Sequence, residues 1–177
     1  MIRKFVIAFV LLAVTTQACV RRTSAPADSQ QVSPSPSSLP PSLPKTNSFI
    51  NDYANVFEPA AKKRLSLLVD ELLRDTQVEF AIVTIETTNA VPIFDYSLAL
   101  ARELKPGGPS GRGLLLVLAI KDRQWRLQVS KALEAELPDE VCKQLAGPSV
   151  ELYAQGKYAE GVDRYIRAIG DRLRAKR

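Results

Sequence analysis

The side chains with the most chemical capacity in this sequence are carboxylates. Asp122 is followed closely by Glu134, Glu136, Asp139 and Glu140. Carboxylates brought together serve as general acid and base, or hold a hard cation such as calcium, which wants several oxygen ligands. The chain contains no histidine. That one absence removes the Ser-His-Asp triad, the Cys-His pair and His-ligated zinc from consideration. Two cations, Arg112 and Lys131, form a second candidate constellation, suited to an anion such as a phosphate; the competing reading makes them solvated rim charges. Cys142 sits beside Val141 and Leu145 in an apolar helical pattern and reads as a buried, inert thiol. The other cysteine, Cys19, lies in the leader, so there is no disulfide framework.

These residues are positioned by the stretch from Gly113 to Glu134. Seven apolar residues, Leu114 to Ile120, read as a strand buried on both faces. Lys121-Asp122-Arg123-Gln124 breaks the run. Trp125, Leu127 and Val129 then alternate with Arg126, Gln128 and Ser130, as in a strand with one wet face. The pair reads as an antiparallel hairpin. Asp122 falls in its turn and Glu134 just beyond its opposite end, roughly 20 Å away at 3.3 Å per residue. These two acids therefore cannot be one catalytic pair. Arg112 and Lys131, by contrast, fall at the same end. The Gly/Pro-rich run Pro106–Gly113 invites comparison with a phosphate-cradling loop, but no Gly-Lys-Ser/Thr follows and the next element is a strand, so a flexible loop is expected.

The rest of the chain supplies covering layers. Phe49–Phe57 carries the turn formers Asn51, Asp52 and Asn55. Helical spacing predicts a helix over Pro59–Arg74, with proline at its first position. Val78–Glu86 reads as the first strand. Phe94–Leu104 reads as a second helix, with Phe94, Leu98, Ala101 and Leu104 on its apolar face. Pro138-Asp139-Glu140 opens a third helix, which Pro148 should kink or break. Tyr158, Val162, Tyr165, Ile166, Ile169 and Leu173 line a last helix. Trp125 is expected to pack a helix layer onto the sheet. The order is that of an α/β helix–sheet–helix sandwich with a small mixed sheet: the strand–helix–strand crossover makes the first two strands parallel, and the hairpin adds an antiparallel neighbour.

The N-terminal segments have a different composition. Residues 1–18 read as a signal peptide, with Arg3 and Lys4 ahead of an apolar run from Phe5 to Val14 that is too short to span a bilayer. Thr16-Gln17-Ala18-Cys19 resembles a bacterial lipobox, with Thr16 and Gln17 as departures. The resemblance implies cleavage before Cys19 and acylation of that residue, palmitate-type chains anchoring the protein at a membrane. Residues 19–48 then form a Pro/Ser-rich tether with too few large apolar side chains to fold. Val20 after the cysteine implies the outer membrane where the organism has one. Residues 49–177 hold the folded domain. The net charge of +5 is spread over mixed charges, and no aromatic–basic repeat or motif for nucleic acid is present.

The folded part resembles the TPM domain family of thylakoid lumen and bacterial envelope proteins. The likeness runs from Ile50 to Leu173 and is carried by INDYANVFEP, VEFAIVTIE, GLLLVLAIKDRQWRLQV and the pattern of Pro148, Tyr153, Gly156, Tyr158 and Gly161. It implies an α/β sandwich outside the cytoplasm, with envelope proteins as partners. It also implies divalent-cation binding in some members and acid phosphatase activity in plant relatives. Several polar positions depart from the family pattern. Arg112 stands where asparagine is typical, Lys121-Asp122-Arg123 replaces Asp-Asp-Arg, and Ser130–Ala135 replaces a glycine-rich loop. Asp122 and Glu134 remain as residual metal positions, but the new cations oppose a hard metal such as calcium. The sequence therefore predicts a non-catalytic, lipid-anchored envelope module with a weakened or absent metal site. A divalent-metal-dependent acid phosphatase is the alternative.

Overall fold

Alternation along one seven-residue strand sets the layers of this protein. The computed structural model describes residues 48–176. Strand β3, Gly113–Ala119, is buried at every position. Its side chains alternate between faces, as the pleat requires. Leu114, Leu116 and Leu118 enter one apolar cluster, and Leu115, Val117 and Ala119 enter another on the opposite face. Strand β2, Glu79–Ile85, pairs with it in parallel and alternates in step: Phe80 and Ile82 join the first cluster, Ala81, Val83 and Ile85 the second. Strand β4, Gln124–Val129, closes the hairpin antiparallel to β3, from Leu114↔Val129 to Ala119↔Gln124.

The sheet has a fourth strand that the sequence reading treated as turn. Ile50–Asp52 forms β1, parallel to β2, and the sheet order is β1-β2-β3-β4. Asn and Asp are poor strand formers. Here a three-residue segment is held by a longer buried neighbour: the Ile82 amide donates to the Phe49 carbonyl at 2.7 Å and the Tyr53 amide to the Thr84 carbonyl at 3.0 Å.

Helices cover both faces unequally. α1 (Pro59–Thr76), α3 (Asp139–Ala154) and α4 (Tyr158–Arg174) share the larger cluster through Leu65, Val69, Leu72, Ala146, Val162, Tyr165 and Ile169. α2 (Ile93–Leu104) alone covers the other face, through Tyr96 and Leu100. The crossovers β1–α1–β2 and β2–α2–β3 advance the same way across the sheet, yet their helices lie on opposite faces. The two therefore have opposite hands, and one is left-handed, a hand found in only about 2 % of such connections.

Three expectations are corrected. Phe94 is not a core residue of α2: it is 47 % exposed, and the buried face is set by Tyr96, Ser97 and Leu100. The polar face of β4 is not simply wet. Gln128 Nε2 donates to Ser97 Oγ at 2.8 Å, and the Arg126 guanidinium lies 5.1 Å from the centre of the Phe94 ring. Finally, α3 runs unbroken through Pro148. That residue is exposed, so the Gln144 carbonyl, which loses its helical partner to proline's missing N–H, lies on a side open to water.

The run Pro106–Gly113 is a bonded turn around the short 3-10 helix Gly108–Ser110. The Gly107 amide donates to Glu79 Oε2 at 3.1 Å, Ser110 Oγ to the Gly107 carbonyl at 2.8 Å, and the Gly113 amide to Ser130 Oγ at 3.0 Å. A Cβ at Gly113 would stand 1.9 Å from the Pro106 carbonyl oxygen, so only glycine lets the turn fold back onto the strand. Trp125 packs as expected, against Tyr153 of α3 at 6.3 Å and edge-on to Tyr165 of α4 at 6.0 Å between ring centres.

Candidate functional site

In open sheets of parallel strands, ligands characteristically meet the carboxyl ends of the strands. Here that edge gathers Asp52 at the end of β1, Thr84 near the end of β2 with Thr87 and Thr88 just beyond it, and Asp122 after β3. Its chemistry depends on what these groups already hold.

Asp52 sits at the turn into α1, and its side chain is 1 % exposed. Thr84 Oγ1 donates to Oδ1 at 2.5 Å, and the Val56 amide donates to the same oxygen at 3.0 Å. The Phe57 amide donates to Oδ2 at 3.1 Å, and Lys62 Nζ stands 2.9 Å from that oxygen. Burial by itself would raise this carboxyl's pKa. The donors Thr84, Lys62, Phe57 and Val56 outweigh it and hold the group below its ordinary value.

Asp122 lies in the hairpin turn, as the sequence indicated. Its Oδ1 accepts from Thr87 Oγ1 at 2.9 Å, and its Oδ2 from the Thr88 amide at 2.7 Å and Thr88 Oγ1 at 3.2 Å. The Thr88 amide, foremost, and the two hydroxyls hold its carboxyl below the ordinary value against the opposing effect of burial. Both carboxylates are thus fasteners: one ties β1 to α1 and β2, the other ties the hairpin to the loop before α2. Lys121 and Glu86 form an exposed ion pair at the same edge, with 2.5 Å between Nζ and Oε2.

The other end of the hairpin holds the remaining candidates. Arg112 and Lys131 flank the Gly113–Ser130 contact, where the Ser130 amide donates to the Gly113 carbonyl at 2.9 Å, so both fall at one end. The Arg112 fork is taken up by Glu136, with Nη1 and Nη2 donating to its two carboxylate oxygens at 2.6 and 3.1 Å. Lys131 is exposed and forms no ion pair among the described residues. Glu134 is exposed beyond the 3-10 helix Lys131–Leu133, at the opposite end of the hairpin from Asp122. The structure does not bring these two residual metal positions together. Among the described residues no three His, Cys, Asp or Glu side chains group closely enough to hold a metal ion. Asp122, engaged by Thr87 and Thr88, and Glu134, at the opposite end, therefore do not form one ligand set for the divalent cation that the family likeness implies.

Sequence reasoning missed Asp52, Thr84, Thr87 and Thr88 as the partners that decide the state of this edge. Asp52 carried a signal, an Asx residue shortly before a helix, but its threonine is far away in sequence. Cys142 is buried, as expected. Burial pushes its thiol up to about 11, and its Sγ lies 3.5 Å from the Leu137 carbonyl. Cys19 and the tether fall outside the described residues. No helix among the described residues is long and apolar enough to cross a membrane.

The Pro148-to-Gly161 pattern acquires a structural meaning. The Tyr153 ring lies so close to α4 that a Cβ at Gly161 would meet its Cε1 at 2.4 Å. Gly156, at φ 75°, turns the chain between α3 and α4, and Tyr158 stacks on Tyr153 with ring centres 6.3 Å apart. Tyr165 Oη donates to the Cys142 carbonyl at 3.1 Å, a third tie between the two helices.

Comparison with known proteins agrees with this architecture. No curated protein matches the sequence. Among solved structures, the chain is similar to the N-terminal domain of a Porphyromonas gingivalis ("P.gingivalis") protein, at 27 % identity and a TM-score of 0.64, over 72 % of this chain and 83 % of that one. It is also similar to the N-terminal domain of a Corynebacterium glutamicum protein (17 %, TM-score 0.59, covering 75 % and 84 %). A third likeness is to the BA42 protein of the psychrophile Bizionia argentinensis (18 %, TM-score 0.60, covering 66 % and 81 %). A family model, described as the TPM domain, matches residues 50–172. That span takes in all four strands and nearly all of the four helices, and the chain accordingly belongs to the TPM domain family.

Proposed function

We propose that this TPM domain is a non-catalytic module, anchored by acylated Cys19 on the outer face of a bacterial envelope membrane, where it binds or steadies membrane and envelope protein complexes. The observation that carries the non-catalytic reading is the engagement of the acids. Asp52 holds Thr84, Lys62 and two amides, Asp122 holds Thr87 and Thr88, and Glu136 holds Arg112. A cation or a phosphoryl group at either end of the hairpin would have to displace bonds that fasten the fold. The location rests on the lipobox-like Cys19 and the apolar leader.

Two measurements test the reading. Mass spectrometry of the membrane-extracted protein should give a chain beginning at acylated Cys19, and Cys19→Ser should release the protein to the soluble fraction. An unmodified soluble chain would overturn the anchor. Calcium should leave the melting temperature where magnesium and a chelator leave it, and crosslinking in intact cells should recover envelope proteins.

The second reading, a divalent-metal-dependent acid phosphatase, draws on the placement of Asp52 and Asp122 at one edge of the sheet. It predicts instead a calcium-dependent rise in melting temperature and hydrolysis of p-nitrophenyl phosphate that Asp122→Asn abolishes.

A further inference from the structure

A groove of about 380 Å³ opens between the turn end of the β3–β4 hairpin and the corner joining α3 to α4. That volume lies within the range typical of small-molecule sites. Its walls are aromatic, from Trp125, Tyr153 and Tyr158, and aliphatic, from Leu118, Ile120 and Val150. The aromatic rings pack on one another, with Trp125 tilted against Tyr153 and Tyr158 stacked on it. Val150, at 37 % exposure, leaves apolar surface open at the groove. One charged side chain stands out against this lining. Arg123, which also lines the groove, is exposed and forms no ion pair among the described residues.

We propose that this groove binds a small ligand made of a flat apolar ring system carrying an anionic group. The rings Trp125 and Tyr158 offer stacking faces, and Arg123 a charge-assisted contact to a carboxylate, sulfonate or phosphate. An aromatic wall also suits cations. The Arg123 guanidinium decides the sign here, because it would repel a cationic ligand and attract an anionic one. Asp122 adjoins Arg123 in the same turn, but its carboxylate is bonded to Thr87 and Thr88, and neither it nor Asp52 nor Arg112 lines the groove.

The sequence contains one tryptophan, and it lies in the groove. The full chain labelled with 5-fluorotryptophan therefore gives a single 19F resonance reporting on the site, even in detergent. Titration with naphthalene-2-sulfonate should shift that resonance saturably, with half-saturation below about a millimolar. Ala154→Phe fills the groove from an exposed position on α3 and should abolish the saturable shift. Arg123→Gln should weaken the sulfonate at least fivefold while improving binding of 2-naphthylmethylammonium. No saturable shift in the native chain, or a shift that survives Ala154→Phe unchanged, would overturn the proposal. Equal affinity for the anionic and cationic probes would overturn the assigned ligand class.

Discussion

Asp52 shows how much one side chain can fix. Its carboxylate accepts from two backbone amides, a threonine and a lysine while almost wholly covered. Hydrogen bonds to a buried charge are worth about 1.5–3 kcal/mol each, so Asp52→Asn should cost roughly 2–3 kcal/mol in urea denaturation at pH 7. The pH dependence follows from the depressed folded pKa. The charge's contribution is complete above the unfolded value, near pH 4, and decays as pH falls through the lower folded value. The gap between native and variant protein should therefore be constant from pH 7 to about 5 and narrow in more acid solution. Gly161 fixes a distance instead. Gly161→Ala should destabilise by about 1–3 kcal/mol through overpacking, and Tyr153→Leu in the same chain should recover part of the loss. Neither residue's role was legible from the sequence. Thr84 lies 32 positions from Asp52 and Thr87 lies 35 from Asp122, and no local pattern joins them. Cys142 was legible because its neighbours on the helix are apolar, and burial follows from that alone.

At the scale of elements, hydrophobic period did most of the specifying. The unbroken run of β3 and the strict alternation of β4 are direct consequences of burial on two faces and of one apolar face, and both strands form where those patterns place them. β1 escaped because its Asn-Asp pair favours turns in isolation, and its strand geometry comes from pairing with β2. The face of α2 was only partly read, for a related reason: Ala101 and Leu104 do pack against the smaller cluster, but Phe94 does not. Phe94, Leu98, Ala101 and Leu104 make a valid helical stripe, but the rival stripe includes Ser97. That buried hydroxyl is satisfied by Gln128 of β4 and by the Phe94 carbonyl at 3.0 Å, which no helical wheel reveals. Pro148 gives this scale its prediction. Proline inside a helix costs about 3 kcal/mol relative to alanine, offset by up to about 1 kcal/mol from the stiffer unfolded chain. Because the residue is exposed and α3 is unbroken, Pro148→Ala should raise stability by about 1–2 kcal/mol, read as a higher urea midpoint with an unchanged slope.

For the molecule as a whole, the two apolar clusters draw, among the described residues, on all four strands and all four helices. A chain beginning at Ser48 should therefore melt in one cooperative transition within about two degrees of the full chain, checked by circular dichroism; a broad or strongly lowered transition would show that the earlier residues help to hold the fold. The opposite hands of the two crossovers also matter at this scale. They spread the helices over both faces of a sheet whose strand order is merely sequential, so β2 and β3 are covered twice while β1 and β4 remain edges. The position of β1 carries a mechanical consequence. It is the first strand after the N-terminal segment, so a pull entering at Ser48 along the strand axis meets β1 before anything else. β1 runs parallel to β2, and its ladder, from the Phe49 carbonyl to the Tyr53 amide, would be loaded in shear, all rungs together, rather than peeled one by one. Asp52 pins the far end of the strand to Thr84 and Lys62, like a rivet at the end of a lap joint. A short edge strand of unpromising composition is thereby the force-bearing hinge plate of the domain, and Asp52→Asn should lower its rupture force in single-molecule pulling more than it lowers its melting temperature.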